Sequence, residues 1–210
     1  MSIDGRSYDR TVLTPEVDSP ESYLGFSAVI DGDHPEVVAL HAQLVTEAGD
    51  RDEQARRIFL FVRDQIRHSQ DAGDRTVTLR ASEVLTHRTG LCYAKSHLAV
   101  ALLRRSGVPA GLCYQRLRDG TGFALHGLIA VHLEGAWHRL DVRGERPGVH
   151  AEFSLAEEIL PFHPNAAAGE EDLPELLVEP APAVVRCLRS GTDALSLPLP
   201  TQLSPASPFR

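Results

Sequence analysis

Three residues of different chemical type, spread over fifty positions, carry the strongest functional pattern of the chain. Cys92 follows the turn at Gly90 and opens an apolar run with helical spacing, while His126 and Asp141 come later in two strand-like segments. A thiol, an imidazole and a carboxylate are the parts of a cysteine nucleophile, its base and the group that orients that base. The pattern therefore predicts cysteine-based acyl transfer.

The expected position of Cys92 is as informative as its residue type. The free N–H groups and the dipole at a helix N-terminus favour a thiolate, which is the nucleophilic form of the residue. The backbone N–H of Cys92 is also a candidate donor to a developing oxyanion. Cys113 and Cys187 lie in segments that we predict to be strands, and each is expected to be a buried structural thiol.

A predicted β-hairpin relates His126 to Asp141. If Glu134 and Gly135 are its two loop residues, Leu133 opposes Ala136. Side chains alternate between the two faces of a strand, so His126 and Asp141 then share a face as diagonal neighbours. The register therefore predicts a hydrogen bond between these two side chains.

The same register separates His126 from two other histidines of the hairpin. His132 lies on the same face but opposes Trp137, roughly 13 Å along the strand from Asp141. His138 falls on the opposite face. We therefore predict that His126, and neither of the others, is the base.

The surrounding pattern predicts helices first and an antiparallel sheet afterwards, which is an α+β domain. Glycine, proline and capping residues delimit the segments. The predicted helices cover residues 31–48, 50–66, 81–86 and 92–105, with a further helical turn over 155–160; the predicted strands cover residues 110–117, 123–133, 136–142 and 183–189. The helix at 92–105 is the most apolar and is expected to be central.

Composition limits the classes of function. The 210 residues are 42% hydrophobic and 24% charged, with 21 basic and 29 acidic side chains. The net charge of −8 argues against general binding to nucleic acid or anionic membranes. No apolar run is long enough for a transmembrane helix, no secretory signal is evident, and three unpaired-looking cysteines favour a reducing compartment. We therefore expect a cytoplasmic protein with a flexible leader over 1–20, a catalytic domain over 21–190 and a Pro/Ser-rich disordered tail over 191–210.

These motifs together resemble the core of the transglutaminase-like superfamily. The resemblance covers roughly residues 22–142 and rests on Ala81-Ser82-Glu83-Val84-Leu85, Gly90-Leu91-Cys92-Tyr93, Leu102–Ala110, His126, Trp137 and Leu140-Asp141. It implies a papain-like α+β fold in which Cys92 is the nucleophile, His126 the base and Asp141 the orienting carboxylate. Leu128, Val142 and His68 depart from the family pattern; many relatives have a tyrosine at the position of His68.

Several alternatives remain open at this level. The acyl donor is an amide, an ester or a carrier-bound thioester, and the acceptor is water or an amine. Tyr93 and Gln70 are candidates for contact with the substrate, and Gln70 is also a candidate second oxyanion donor. A non-catalytic binding module, or a zinc site built from His126, His132 and a cysteine, is the weaker interpretation, because the triad is complete and no close pair of metal ligands occurs. We expect no cofactor, and the sequence does not indicate the oligomeric state.

Overall fold

The structure is a computed structural model that describes residues 12–203. Within that range the helices are α1 (Pro35–Val45), α2 (Arg51–Gln65), α3 (Ser69–Ala72), α4 (Ala81–His87), α5 (Cys92–Arg105) and α6 (Pro182–Arg189). The strands of the same range are β1 (Thr14–Pro15), β2 (Arg67–His68), β3 (Thr89–Gly90), β4 (Ala110–Asp119), β5 (Gly122–Leu133), β6 (Ala136–Leu140) and β7 (Glu171–Leu177). Short 3-10 turns occur at Pro20–Leu24 and Ala166–Ala168.

Helix α5 is the central element of the core. Thirteen of its fourteen residues are buried, and only Arg105 at its end is not. A helix that is buried on all sides must lie between two layers, and α5 packs against α2 and α4 on one side and against β4 and β5 on the other. The predicted span of this helix and its central position are both as the structure has them.

The main sheet is almost entirely antiparallel, with strand order β1-β7-β4-β5-β6. Strands β5 and β6 pair with Leu133 opposite Ala136 and Ile129 opposite Leu140. The loop between them is Glu134-Gly135, and both residues have positive φ, +51° and +77°. Positive φ at both positions is the geometry of a tight two-residue hairpin. The predicted register, and with it the α+β class, is confirmed.

A second, two-stranded sheet lies at the start of α5. Strand β2 follows α2 directly and pairs in parallel with β3, so that His68 is opposite Gly90. Because β3 leads into Cys92 through a single residue, this small sheet holds the end of α2 beside the first turn of α5.

The C-terminal third differs most from the sequence-based expectation. Residues 183–189, predicted as a strand, form helix α6, whose apolar residues Val184, Cys187 and Leu188 lie on one buried face. Their spacing is helical, and Pro182 is suited to the first turn of a helix. No helix occurs over residues 155–160, and strand β7 was not predicted at all.

The structure also corrects the leader and the tail over the parts that it describes. Strand β1 pairs with β7, so residues 12–20 include a strand of the sheet. In the predicted tail, Leu197 is buried in the core, and the Leu125 N–H donates to the Pro200 carbonyl at 2.7 Å. Apolar contact and backbone pairing, which composition does not reveal, hold this segment. Residues 1–11 and 204–210 lie outside the described residues.

Candidate active site

Cys92 is the first residue of α5 and is 8% exposed. The N-cap is Leu91, whose side chain cannot accept a hydrogen bond, so no side chain caps this helix. The partial positive charge of the helix end therefore acts on the thiol without competition from a capping group. Close packing favours glycine at position 90, because a Cβ there would lie 3.0 Å from the Thr78 hydroxyl and 3.1 Å from the Ala94 Cβ, and both neighbours would have to shift.

His126 and Asp141 form the contact that the hairpin register predicts. His126 Nε2 lies 2.5 Å from Asp141 Oδ2, in a buried environment. Strand β6 ends at Leu140, and Asp141 follows as the next residue. Its other oxygen, Oδ1, accepts the backbone N–H of Arg143 at 2.7 Å. With Nε2 held by the carboxylate, Nδ1 is the ring nitrogen left for the thiol.

The thiol of Cys92 is strongly acidic for a buried group. Burial alone would raise its pKa, but the charge and hydrogen bond of His126, assisted by His68, bring that pKa down to about 6. Burial likewise opposes the charged form of His126, yet Asp141 and Cys92 raise the pKa of the imidazole to about 10. The backbone N–H of Gly127 points at the sulfur at 3.4 Å. A thiolate paired with an imidazolium follows at neutral pH.

The two remaining cysteines behave differently. Cys113 lies in β4 and Cys187 in α6, and burial raises the pKa of both thiols. Cys113 is in a strand as predicted, whereas Cys187 is in a helix. Cys92 is therefore the one cysteine of the three whose surroundings favour a thiolate.

Cys92 and His126 line a cavity of about 400 Å³, whereas Asp141 is buried behind His126 and does not line it. Tyr93 lines it but is buried, and its hydroxyl donates to the Leu125 carbonyl, so its first role is to join α5 to β5. Gln70 lies on α3 at the exposed side of the same cavity. Leu199, from the C-terminal segment, forms part of the wall of this cavity. The structure thus places both candidate substrate contacts at the cavity that contains Cys92.

Two buried residues near the thiol had no role in the sequence analysis. His68 lines the cavity beside Cys92 and is buried. Arg143, two residues after Asp141, binds both carboxylate oxygens of Asp71, at 2.7 and 3.0 Å. The signal that could have found His68 is its position two residues after Ile66. In an extended segment residues two apart lie on the same face, so an apolar, buried Ile66 indicates a buried His68.

Lys95, the only lysine of the chain, lies one turn into α5 and is fully buried. Its ammonium donates to the carbonyls of Arg63, Ile66 and Arg143, at 3.2, 2.5 and 2.7 Å. Burial lowers its pKa to about 7, while the three acceptors match its three hydrogens. Lys95 therefore ties the end of α2 and the segment after Asp141 to the helix that carries Cys92.

Within residues 12–203, no group of three or more His, Cys, Asp or Glu side chains is arranged to hold a metal ion. Among the helices in that range, none has the length and apolar character needed to cross a membrane.

A known protein family matches the part of the chain that contains this site. The model of the transglutaminase-like superfamily matches residues 38–142, which is half of the chain and includes Cys92, His126 and Asp141. The chain belongs to this superfamily. The predicted resemblance is thereby confirmed. No curated protein matches the chain.

Solved structures of two proteins are similar to part of this chain. A candidate cysteine protease from Cytophaga hutchinsonii is 18% identical, with a TM-score of 0.51 over 61% of this chain and 43% of that one. The arylamine N-acetyltransferase from Mycobacterium abscessus is 24% identical, with a TM-score of 0.41 over 56% of this chain and 46% of that one. The chain spans less than half the length of both proteins. At such identity the first comparison shows a shared papain-like fold.

Proposed function

We propose that this protein is a cysteine-dependent acyl-transfer enzyme in which Cys92 is the nucleophile, His126 the base and Asp141 the residue that orients the base. The observation that carries the proposal is the buried contact between His126 and Asp141 beside a thiol at a helix N-terminus. Membership of the superfamily supports the general class of chemistry.

The first half-reaction forms a thioester. The Cys92 thiolate attacks the carbonyl carbon of an amide, an ester or a carrier-bound thioester, and the carbonyl oxygen becomes an oxyanion. The backbone N–H of Cys92 donates to that oxyanion at the positive end of α5. The His126 imidazolium then gives its proton to the leaving group, which departs with the electron pair of the broken bond.

The second half-reaction releases the acyl group. Neutral His126 takes a proton from water or an amine, which adds to the thioester carbonyl. The C–S bond then breaks, its electron pair returns to the sulfur, and the thiolate–imidazolium pair is restored. Asp141 keeps Nδ1 of His126 directed at the reacting atoms in both halves and stabilises the imidazolium. Water yields hydrolysis, and an amine yields transfer.

An activated ester tests the proposal without knowledge of the natural substrate. We expect p-nitrophenyl acetate to release a burst of nitrophenol equal to the amount of enzyme, together with one acetyl group located on Cys92 by mass spectrometry. Cys92→Ala should abolish the burst and leave the circular dichroism spectrum unchanged. His132→Ala is the matched control on the same strand and should retain the burst.

The outcomes separate the alternatives. Absence of acetylation at Cys92 in a folded protein would favour a binding module on the same fold. Once the acetyl-enzyme is observed, adding glycine amide distinguishes the two fates: a rise in turnover with formation of an amide product indicates transfer, whereas an unchanged rate indicates hydrolysis.

A further inference from the structure

A second histidine lies beside the thiol, on an element that is separate from the β5–β6 hairpin. His68 is in β2 and pairs with Gly90 of β3. Because Cys92 follows Gly90 by two residues, this pairing fixes the position of His68 relative to Cys92. His68 is buried, and it lines the same cavity as Cys92 and His126. Lys95 reinforces the placement, since its ammonium binds the carbonyl of Ile66, two residues before His68.

The His68 ring lacks a hydrogen bond at the nitrogen that faces the protein interior. Nδ1 is buried and has no hydrogen-bond partner within the described residues. Asp71 Oδ2 is the nearest carboxylate oxygen, at 3.7 Å from Nδ1, and Arg143 binds both oxygens of that carboxylate. A buried polar ring without a full set of bonds destabilises a protein. A functional role would explain why a ring with this unfavourable burial is present. Because Nδ1 is enclosed by protein, Nε2 is the ring nitrogen that remains to face the cavity.

The charged and titratable groups around the Cys92 sulfur come from several elements. His126 of β5 and His68 of β2 interact with the sulfur by charge and by hydrogen bonding. Tyr93, the next residue of α5, and Cys187 of α6 interact with it electrostatically. Of these, only the two histidines favour the thiolate by hydrogen bonding.

We propose that His68 is a further catalytic residue, which donates a hydrogen bond from its ring N–H to the Cys92 sulfur and so stabilises that sulfur as the leaving group when the thioester is resolved. The inference rests on the proposed acyl-transfer function. Asp71, held by Arg143, lies on the Nδ1 side of the ring at 3.7 Å, so the Nε2 side is the one left for the sulfur.

The chemistry of the second half-reaction explains why this position matters. When water or an amine has added to the thioester, the C–S bond breaks and its electron pair moves to Cys92 Sγ. The proton of the acceptor goes to His126. A hydrogen bond from His68 to the sulfur is strongest at this point, because the sulfur regains its negative charge. The same bond does not assist the attack of the thiolate on the acyl donor, in which that charge is lost.

Loss of His68 should therefore change the two half-reactions in opposite ways. We expect His68→Leu to raise the midpoint of Cys92 alkylation by about one to two pH units, the shift that corresponds to one hydrogen bond to a charged group. Above that midpoint, acetylation by p-nitrophenyl acetate should be as fast as in the wild type or faster, whereas deacetylation should slow by about tenfold or more. Acetyl-enzyme should accumulate.

His68→Gln keeps an N–H donor and should restore much of the deacetylation rate, which a merely space-filling role would not predict. His132→Leu controls for the loss of a strand histidine. If His68→Leu does not fold, His68→Asn can replace it, because the asparagine amide is too short to reach the sulfur. The same slowing of deacetylation is expected.

The readouts distinguish the two proposals. No acetylation of wild-type Cys92 would remove the proposed function and this inference together. Normal acetylation and deacetylation in His68→Leu, with an unshifted alkylation midpoint, would overturn the inference alone. Equal slowing in His68→Gln and His68→Leu would also overturn it, because the donor would then not matter.

Discussion

The pairing of Cys92 with His126 can be tested quantitatively by replacing the base with His126→Gln. Glutamine has a similar volume and can still hydrogen-bond Asp141, but it carries no charge. In the wild type the pKa of Cys92 is about 6 against an ordinary value of 9.0. Because burial raises that pKa and His126 is the largest influence that lowers it, we expect the variant to titrate near 9 or above.

The expected change is best expressed as a fraction of thiolate. At pH 6 about half of wild-type Cys92 is thiolate, whereas a thiol of pKa 9 is ionised to only about one part in a thousand. The alkylation rate falls by less than this ratio, since a thiolate of higher pKa is intrinsically more nucleophilic, by about 15-fold to 30-fold over three pKa units. The midpoint of the pH profile is therefore a cleaner observable than a rate at one pH.

The assay is iodoacetamide labelling between about pH 5 and pH 10, with the labelled residue located by mass spectrometry. Cys113 and Cys187 are internal controls, since burial raises the pKa of both and the folded protein should leave them largely unlabelled. We expect a midpoint near 6 in the wild type and an upward shift of about three units in His126→Gln. A shift of less than about one unit would refute the reasoning, because the helix terminus and His68 would then carry the activation.

Further predictions follow from the same contacts. Asp141→Asn should lower turnover of p-nitrophenyl acetate by about 10³-fold to 10⁴-fold without unfolding the protein, because the carboxylate that orients His126 is lost; a loss below about tenfold would contradict that role. The stability of the wild type relative to His126→Gln, measured by urea denaturation, should change little between about pH 6.5 and 9, because the lowered pKa of Cys92 offsets the raised pKa of His126 in the folded state, and should decline as pH rises through about 10, where the His126 imidazolium loses its proton. Gly127→Ala should lower both the Tm and the rate of Cys92 alkylation, because the added Cβ would lie 2.8 Å from Tyr93 Cδ1 and 3.3 Å from its Cα; an unchanged Tm would show that β5 can move away from α5. Lys95→Met should reduce the free energy of unfolding by about 3 kcal/mol or more, since three buried carbonyls lose their donor; a change below about 1 kcal/mol would show that water or rearrangement replaces it.

The part of the structure that sequence reasoning predicted is the part that local pattern specifies. Helix α5 has the required apolar periodicity and a glycine at each boundary, Gly90 and Gly107. The β5–β6 hairpin follows from alternation and a two-residue turn. Since such a turn sets the register of every facing pair, the contact between His126 and Asp141 could be predicted over fifteen positions of sequence.

The elements that were predicted wrongly depend on partners distant in sequence. Strand β7 contains Pro174 and has little alternation, and it is a strand because it pairs with β4 and β1. Helix α6 is short and rich in valine, so its local preference is weak. The composition of the segment around Leu197 is typical of disorder. The segment is nevertheless held by contact of Leu197 with the core and by the Leu125 N–H of β5, which donates to the Pro200 carbonyl. Tertiary contact overrides propensity in β7 and in the segment around Leu197, whereas α6 has a helical spacing of apolar residues that the prediction of a strand did not take into account.

Short-range pattern and one tight turn are enough to predict the superfamily, the central helix and the three residue types proposed for catalysis. The surroundings of the thiol, in contrast, depend on tertiary contacts. His68, Arg143 and Lys95 reach the site from different elements, and nothing in their local sequence specifies that they meet. Burial in a shared core brings them together, and burial is also what strengthens charges and hydrogen bonds in this part of the protein.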